Sequence, residues 1–136
     1  MLLSICIPTY NRAEFLRKTL ESIVTQTAWF NGETEIVISD NASTDNTSAV
    51  IDEYQNRYPV FIRSVRHNQP IDPHDNFEAA MRLGKGEYLK LNNDTLLCSA
   101  NALAEYLAIL RRYCSLLRTA VWQLPTQYQK PFNVRI

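Results

Sequence analysis

Polar and charged side chains follow four apolar runs of the chain, at the places where strands of a sheet would end. These clusters occupy residues 9–12, 40–41, 66–68 and 92–94. The carboxyl ends of parallel strands meet at one edge of a sheet, and open α/β sheets bind ligands there. Helix capping explains some of these side chains, but it does not explain Arg12, Asp40 and Asp94 together. The spacing therefore predicts one site assembled from four segments.

The last cluster has two interpretations. Residues 88–91 suit a short buried strand, and Asn92-Asn93-Asp94 stand where that strand must stop. Taken alone, this run is typical of an Asx-rich turn. Taken with the other three clusters, it is a candidate metal site, because carboxylate and amide oxygens are the ligands that hard divalent cations prefer.

The glycines exclude two common ways of binding a diphosphate. The chain has three glycines, Gly32, Gly84 and Gly86, and none of them follows the first predicted strand. It therefore has neither the G-x-G-x-x-G dinucleotide fingerprint nor a P-loop. A diphosphate at this edge would need a cation, and Mg²⁺ or Mn²⁺ commonly uses one or two carboxylates together with phosphate oxygens and water. Asp94 is predicted to supply that carboxylate.

The apolar pattern predicts four strands that alternate with four helices. Apolar runs near residues 2–7, 35–39, 60–65 and 86–91 are typical of strands, and the first has the pattern of a strand buried on both faces. Apolar residues at helical spacing follow each of them. The order βαβαβαβα predicts an α/β fold in three layers, with a mainly parallel sheet between flanking helices.

Local signals predict where the helices begin and which side chains face the core. Asn11 with Glu14, and Asp75 with Glu78, have the spacing of capping boxes. The predicted apolar stripes are Leu16, Leu20, Ile23 and Val24; Val50, Ile51 and Tyr54; Phe77, Ala80 and Met81; and Leu103, Leu107, Leu110 and Cys114. From about Thr119 the pattern fails, so the rest of the chain is predicted to be irregular.

Composition indicates an ordinary globular domain without a nucleic-acid partner. Apolar residues are 46% and charged residues 21% of 136, and the 14 basic residues equal the 14 acidic ones. Residues 1–7 are apolar but too few to span a membrane, and no basic leader precedes them. The three cysteines Cys6, Cys98 and Cys114 lack metal-ligand spacing, which predicts free thiols in a cytoplasmic protein.

Three segments carry a resemblance to a known family. They are residues 4–12 (SICIPTYNR), residues 36–47 (IVISDNASTDNT) and residues 86–89 (GEYL). In this order and spacing they resemble the nucleotide-binding half of a family 2 glycosyltransferase of the GT-A fold. The loop at residues 75–77 is similar to members that build O-antigen and capsular polysaccharides. The resemblance implies a Rossmann-like GT-A half domain over residues 1–118 and an irregular tail over residues 119–136.

The resemblance also implies roles for individual residues. The implied nucleotide-binding residues are Thr9, Tyr10, Arg12, Asp40 and Asn92. Asp40 would hydrogen-bond the base, and Asn92 would bond a ribose hydroxyl. Residues 92–94 take the place of the family's DxD motif, and Asp94 would bind the Mn²⁺ or Mg²⁺ that bridges the diphosphate. The implied partners are a nucleoside-diphosphate sugar and a saccharide or lipid-linked saccharide acceptor.

Two departures from the family pattern bear on activity. Asn92 stands where the family usually has Asp, which predicts weaker metal binding. Sugar transfer also needs a base, and Glu105, the only acidic residue after Asp94, is predicted to be a solvated surface charge. We therefore expect a truncated, donor-binding half without its acceptor half. A catalytically inactive nucleotide-binding or interaction module stays open as the alternative.

Two expectations concern what the chain assembles with. A sheet edge left uncovered by a missing half would favour a homodimer. The basic residues near the end of the chain would allow peripheral attachment at the inner face of a membrane, although the end of a displaced fragment is the simpler interpretation.

Overall fold

The protein is built on a sheet of four parallel strands in the order β3-β2-β1-β4. The computed structural model describes the backbone of residues 1–122 and, except at residue 27, the side chains of residues 1–113. The strands are β1 (Leu3–Thr9), β2 (Thr34–Asp40), β3 (Ile62–Arg66) and β4 (Tyr88–Leu91). The helices are α1 (Ala13–Val24), α2 (Thr47–Arg57), α3 (Pro73–Leu83) and α4 (Ala102–Trp122), and a 3₁₀ helix (Thr27–Asn31) precedes β2.

The two faces of the sheet carry separate apolar clusters, so the molecule has three layers. One cluster joins Ile5, Ile7, Ile36 and Ile38 of the two central strands to the apolar stripes of α1, α2 and α4. The other, much smaller, packs Cys6 and Val37 against Ala80 of α3. Every residue of β1 and β2 is buried, which explains their apolar character on both faces. The predicted α/β fold with a parallel sheet is confirmed.

A polar cluster lies beneath α3, at the end of the sheet where β1 and β2 begin. Glu35 is 2% exposed. Its Oε1 accepts hydrogen bonds from Ser4 Oγ and Lys85 N, both at 2.6 Å, and its Oε2 accepts from Arg63 Nη2 at 2.8 Å. Gly86 N in turn donates to Ser4 Oγ at 2.7 Å. We call these five residues the Glu35 cluster; it ties β1, β2 and β3 to the segment that leads into β4.

Helix α3 differs from its prediction in both its start and its buried face. It begins at Pro73, and Asp72 Oδ1 accepts from His74 N at 2.8 Å, so the predicted Asp75–Glu78 capping box is wrong. Phe77 was predicted to face the core, but it is 39% exposed. Asn76 takes the buried position one residue earlier, where it bonds Ser39 of β2. A buried hydrogen-bond partner thus overrides the apolar pattern.

The remaining helices follow their predicted stripes. The apolar residues predicted for α1 and α2 are buried, as are Leu103, Leu107 and Leu110 of α4. Helix α4 continues to Trp122, so residues 119–122 are helical rather than irregular. The side chain of Cys114 and residues 123–136 of the predicted tail lie outside the described part. Within residues 1–122 no helix combines the length and apolar character that crossing a membrane requires.

Candidate functional site

Thr9 and Asp94 meet at the point where the strand order of the sheet reverses. The chain runs from β1 outward to β2 and β3, and then crosses to the other side of β1 to form β4. In open α/β sheets such a switch point is where ligands bind, beyond the carboxyl ends of the strands. Here Thr9 Oγ1 donates to Asp94 Oδ2 at 2.9 Å, and both residues are buried. The Asp94 carbonyl accepts from Thr19 Oγ1 of α1 at 2.8 Å, which fixes the backbone as well.

The surroundings of the Asp94 carboxyl raise its pKa above the usual value. Burial raises its pKa, while the hydrogen bond from Thr9 and the nearby charge of Arg12 oppose that rise without cancelling it. The carboxylate is therefore held in a site where one further positive charge would stabilise it. Arg12 itself is exposed, with its guanidinium carbon 5.7 Å from the ring centroid of Phe15.

Asp40 lies at the end of β2, next to Thr9 in the strand register. It is 1% exposed. Its Oδ1 accepts from Ser43 N at 3.0 Å, whereas Oδ2 has only an ion-pair contact with Arg66 Nε at 3.7 Å. Within the described side chains Oδ2 is one of two buried polar atoms without a hydrogen-bond partner. Such an acceptor is costly unless a donor reaches it, which makes Asp40 a candidate to accept a hydrogen bond from a ligand.

A cleft of about 590 Å³ opens beside Asp40. It is lined by Tyr10, Ala42, Thr44, Arg66, His67, Asn68, Gln69 and Pro70. These residues end or follow three adjacent strands, so three of the four predicted strand ends contribute, and residues 92–94 are not in the lining. Neither the Asp40 nor the Asp94 carboxylate is in the lining; Asp40 contacts the lining residue Arg66, and Asp94 lies on the other side of Thr9. A second cleft of about 470 Å³ includes Ile62, the first residue of β3, and so opens at the opposite end of the strands. The first cleft is therefore the better candidate.

The loops that follow β1 and β2 are joined by hydrogen bonds that we call the loop clasp. Asn11 Oδ1 accepts from Thr44 N at 2.7 Å, and Asp45 Oδ2 accepts from Ala13 N at 3.2 Å. Arg12 N donates to Thr47 Oγ1 at 3.1 Å. The amide at the start of α1 is thus capped by Asp45 from another segment, and the predicted Asn11–Glu14 capping box is wrong. Asn11 instead binds the second loop, from a left-handed backbone with φ of 51°.

Residues 67–72 are held by hydrogen bonds that the sequence did not predict. Asn41 Nδ2 donates to the Ile71 carbonyl at 2.9 Å, and Ile71 N donates to Asn41 Oδ1 at 2.8 Å. Ser39 Oγ lies 2.7 Å from Asn76 Oδ1 and 3.0 Å from His67 Nε2. Asn76 lies four residues before Ala80 and therefore on the predicted inward face of α3. A polar residue on that face is the signal that could have identified it. The Asn41 tether joins distant segments and leaves no local pattern.

A family sequence model described as "Glycosyl transferase family 2" matches residues 4–117. The chain belongs to this family. The match covers both strand ends that carry Asp40 and Asp94, and it confirms the resemblance drawn from the three sequence segments.

Curated relatives of this family 2 chain include named sugar transferases. It is 45% identical over 114 residues to abequosyltransferase RfbV of Salmonella typhimurium, covering 83% of this chain and 32% of the relative. It is 33% identical over 92 residues to the poly(ribitol-phosphate) beta-glucosyltransferase of Bacillus spizizenii, covering 65% of this chain and 14% of that protein. The chain therefore spans a third or less of the length of these relatives.

Solved structures show the same fold at low sequence identity. S. aureus TarS 1-349 in complex with UDP matches with a TM-score of 0.73 at 22% identity, over 82% of this chain and 32% of that chain. The mannosyltransferase PcManGT from Pyrobaculum calidifontis, in complex with GDP-Man and Mn²⁺, matches with a TM-score of 0.68 at 23% identity, over 77% and 31%. The GT-A architecture of the family 2 chain is thereby shown.

Not all predicted site residues of this family 2 chain are equally available to a ligand. Tyr10 is 46% exposed and lines the cleft, and its predicted contact with a nucleotide stays a prediction. Asn92 is fully buried: its Oδ1 accepts from Lys90 Nζ at 2.5 Å, and its Nδ2 donates to the Asn93 carbonyl at 3.0 Å. In this structure Asn92 shapes the turn before Asp94, and its predicted bond to a ribose hydroxyl stays a prediction.

The residues near Asp94 fit a cation that is shared with a ligand. The described residues contain no group of three His, Cys, Asp or Glu side chains that could hold a metal ion. Mg²⁺ and Mn²⁺ sites commonly need only one or two carboxylates when phosphate oxygens and water complete the shell. The Asp94 carboxylate, of which Thr9 engages one oxygen, suits that arrangement.

Proposed function

We propose that this chain is the donor-binding part of a glycosyltransferase, which binds a nucleoside-diphosphate sugar at the carboxyl edge of its sheet. The observation that carries the proposal is the Thr9–Asp94 pair at the switch point, next to the buried and unpaired Oδ2 of Asp40. One position offers a carboxylate for a cation, and the other offers an acceptor for a base. Family membership and the UDP and GDP-Man complexes of structural neighbours support this choice of ligand.

Four of the predicted residues have proposed roles in this arrangement. Asp40 Oδ2 would accept a hydrogen bond from an N–H group of the base, since among the described residues it has only the 3.7 Å ion-pair contact with Arg66. Tyr10 would pack against the base in the cleft. Asp94 would share Mn²⁺ or Mg²⁺ with the diphosphate, and Arg12, whose charge already acts on Asp94, would add positive charge beside it.

The reaction proposed for the whole protein is transfer of the sugar to a saccharide or lipid-linked saccharide acceptor. The bond between the anomeric carbon and the diphosphate oxygen breaks, and a bond to the acceptor oxygen forms. The acceptor hydroxyl proton passes to a base. When bound, a divalent cation would stabilise the charge of the departing diphosphate. Glu105 is exposed on α4, as predicted, so a base from outside the described residues is the more suitable candidate.

The proposal also covers the cellular compartment, the oligomeric state and the membrane contact of the protein. Cys6 and Cys98 are free, and burial raises the pKa of the Cys6 thiol to about 11, which suits a core residue in a reducing cytoplasm. Among the described residues β4 has one strand neighbour, β1, so pairing along its other edge is the proposed route to a homodimer. Attachment to the inner face of a membrane would bring the site to a lipid-linked acceptor.

Calorimetry with UDP, GDP, CDP and dTDP, each with and without Mn²⁺, tests the donor site. One nucleotide should bind most tightly, and Mn²⁺ should tighten it. Asp94→Ala should abolish the effect of Mn²⁺, whereas the matched control Asp52→Asn, which alters an exposed acid of α2, should not. Equal, weak and metal-indifferent binding of all four nucleotides would refute the proposal.

A second measurement separates an enzyme from an inactive nucleotide-binding module. Manganese-dependent hydrolysis of the sugar donor would indicate that the chain retains chemistry. Metal-dependent binding without hydrolysis would favour the module, for which the exposed position of Glu105 on α4 is the supporting observation.

A further inference from the structure

His67 lies where a side chain of the cleft could read the base of the bound nucleotide. It follows β3, it is half-buried, and it lines the candidate cleft. Its backbone N–H donates to the Asp40 carbonyl at 3.0 Å, which fixes its position relative to the carboxylate proposed to bind the base. Its side chain, by contrast, has one hydrogen-bond contact, between Nε2 and Ser39 Oγ at 3.0 Å.

The direction of that hydrogen bond follows from the groups behind it. Asn76 Nδ2 donates to the Ser39 carbonyl at 3.3 Å, so the amide oxygen of Asn76 must face the Ser39 hydroxyl. The hydroxyl has one proton, and it donates that proton to Asn76 Oδ1 at 2.7 Å. Ser39 Oγ can then only accept from His67, and Nε2 must carry the hydrogen.

The neutral ring is thereby fixed in one tautomer. With the hydrogen on Nε2, the second nitrogen Nδ1 is an acceptor. Nδ1 has no hydrogen-bond partner among the described residues. It is also not one of the two described side-chain atoms that are both buried and without a hydrogen-bond partner. It is therefore accessible to a molecule in the cleft that His67 lines.

We infer that His67 is a specificity-determining residue, whose Nδ1 accepts a hydrogen bond from an N–H group of the nucleobase. Ser39 and Asn76 are positioning residues, because they act only by fixing the hydrogen on Nε2. This inference rests on the proposed function and adds a second base-reading acceptor to Asp40. The ligand class is a nucleoside diphosphate whose base presents an N–H group at its edge.

Two conservative variants separate the reading of the base from a structural role. Asn is short and places its amide near the position of Nδ1, so His67→Asn can keep an acceptor there while losing the bond to Ser39. Gln is longer and reaches the position of Nε2, so His67→Gln can keep the bond to Ser39 while losing the acceptor. A purely structural histidine would be replaced better by Gln, and a base-reading one better by Asn.

The binding experiment compares two probes in the presence of Mn²⁺ on the full chain. One is whichever of UDP, GDP, CDP and dTDP binds wild type most tightly, and the other is ribose 5-diphosphate, which has no base. His67→Gln should weaken nucleotide binding about five- to tenfold, the loss expected for one hydrogen bond, and leave ribose 5-diphosphate unchanged. His67→Asn should stay close to wild type with both probes. Any other pattern, including equal losses for both probes, overturns the inference.

A spectroscopic measurement tests the tautomer without any ligand. The chain has two histidines, so a His74→Gln background leaves one imidazole for long-range ¹H–¹⁵N correlation spectra. The ring should carry its hydrogen on Nε2, and Asn76→Ala should add a population with the hydrogen on Nδ1. A wild-type ring protonated on Nδ1 overturns the inference while the donor site stands. Failure of wild type to bind both probes refutes the donor site and this inference with it.

Discussion

Replacing Glu35 by alanine should destabilise the fold more than any change to a surface ion pair. Glu35 is 2% exposed and accepts hydrogen bonds from Ser4, Arg63 and Lys85. Its removal leaves the guanidinium of Arg63, whose side chain is 29% exposed, with the Leu83 carbonyl as its remaining partner. Breaking one side of a buried ion pair costs about 3–5 kcal/mol, a large part of the 5–15 kcal/mol typical of a domain.

Urea unfolding measures this cost, and two variants serve as controls. Glu78→Ala breaks the ion pair between Glu78 and Arg82, whose side chains are 61% and 76% exposed, respectively. It should lower the free energy of unfolding by less than about 0.5 kcal/mol. The double variant Glu35→Met, Arg63→Met removes both charges and should recover most of the loss, because no unpaired charge remains. A loss below about 1 kcal/mol in Glu35→Ala, with an unchanged m-value, would refute the reasoning.

The same cluster gives a pH dependence of known sign. Burial acts to raise the pKa of Glu35, but the hydrogen bonds from Ser4, Lys85 and Arg63 outweigh it, so the pKa is lowered on folding. Its stabilising contribution is fully present above the unfolded-state pKa of about 4.3 and is lost as the pH falls through the lower folded-state value. Glu35→Gln should therefore show a smaller loss of stability below pH about 4 than wild type; an identical acid profile would contradict this.

Three further variants test other features of the fold. Gly86→Ala should cost about 1–3 kcal/mol in urea unfolding, since its Cβ would lie 2.6 Å from the backbone nitrogen of Ser4; an unchanged midpoint would argue against this contact. Asn41→Ala removes both hydrogen bonds to Ile71, so it should lower the free energy of unfolding by about 1–2 kcal/mol. It should also weaken nucleotide binding in calorimetry, and unaltered affinity would show that the tether does not shape the cleft. Phe77→Ala should cost less than about 1 kcal/mol, because the ring is 39% exposed, and a loss typical of a core aromatic would contradict the structure.

The sequence predicted β1 and β2 well because they are buried on both faces and so have nearly unbroken apolar runs. The predicted burial of β4 is wrong, since none of its residues is buried and Leu91 is 44% exposed. The sequence also predicted where Asp40 and Asp94 would lie, because parallel strand ends share one edge. The helix starts were less predictable. Asp45 caps α1 from another loop, and Gln26 Oε1 accepts from Leu103 N at the start of α4, so no local spacing records either contact.

The sequence also did not predict which polar side chains are buried. Asn92 matched a family position and was expected to face a ligand, yet it is fully buried and bonded to Lys90. Asn76 interrupts the apolar stripe of α3, and the pattern predicts that Phe77 is buried, yet Asn76 takes the buried position. In both cases the deciding partner is a specific hydrogen-bonding group, and apolar periodicity carries no information about such partners.

The loop clasp has a practical consequence for engineering. Asn11 and Asp45 each complete hydrogen bonds that the opposite loop needs, so neither loop keeps its shape alone. A chimera that takes only one of the two loops from a homologue would leave the helix start at Ala13 uncapped or Asn11 without its partners. Grafted specificity should survive only when both loops are transplanted as a single unit.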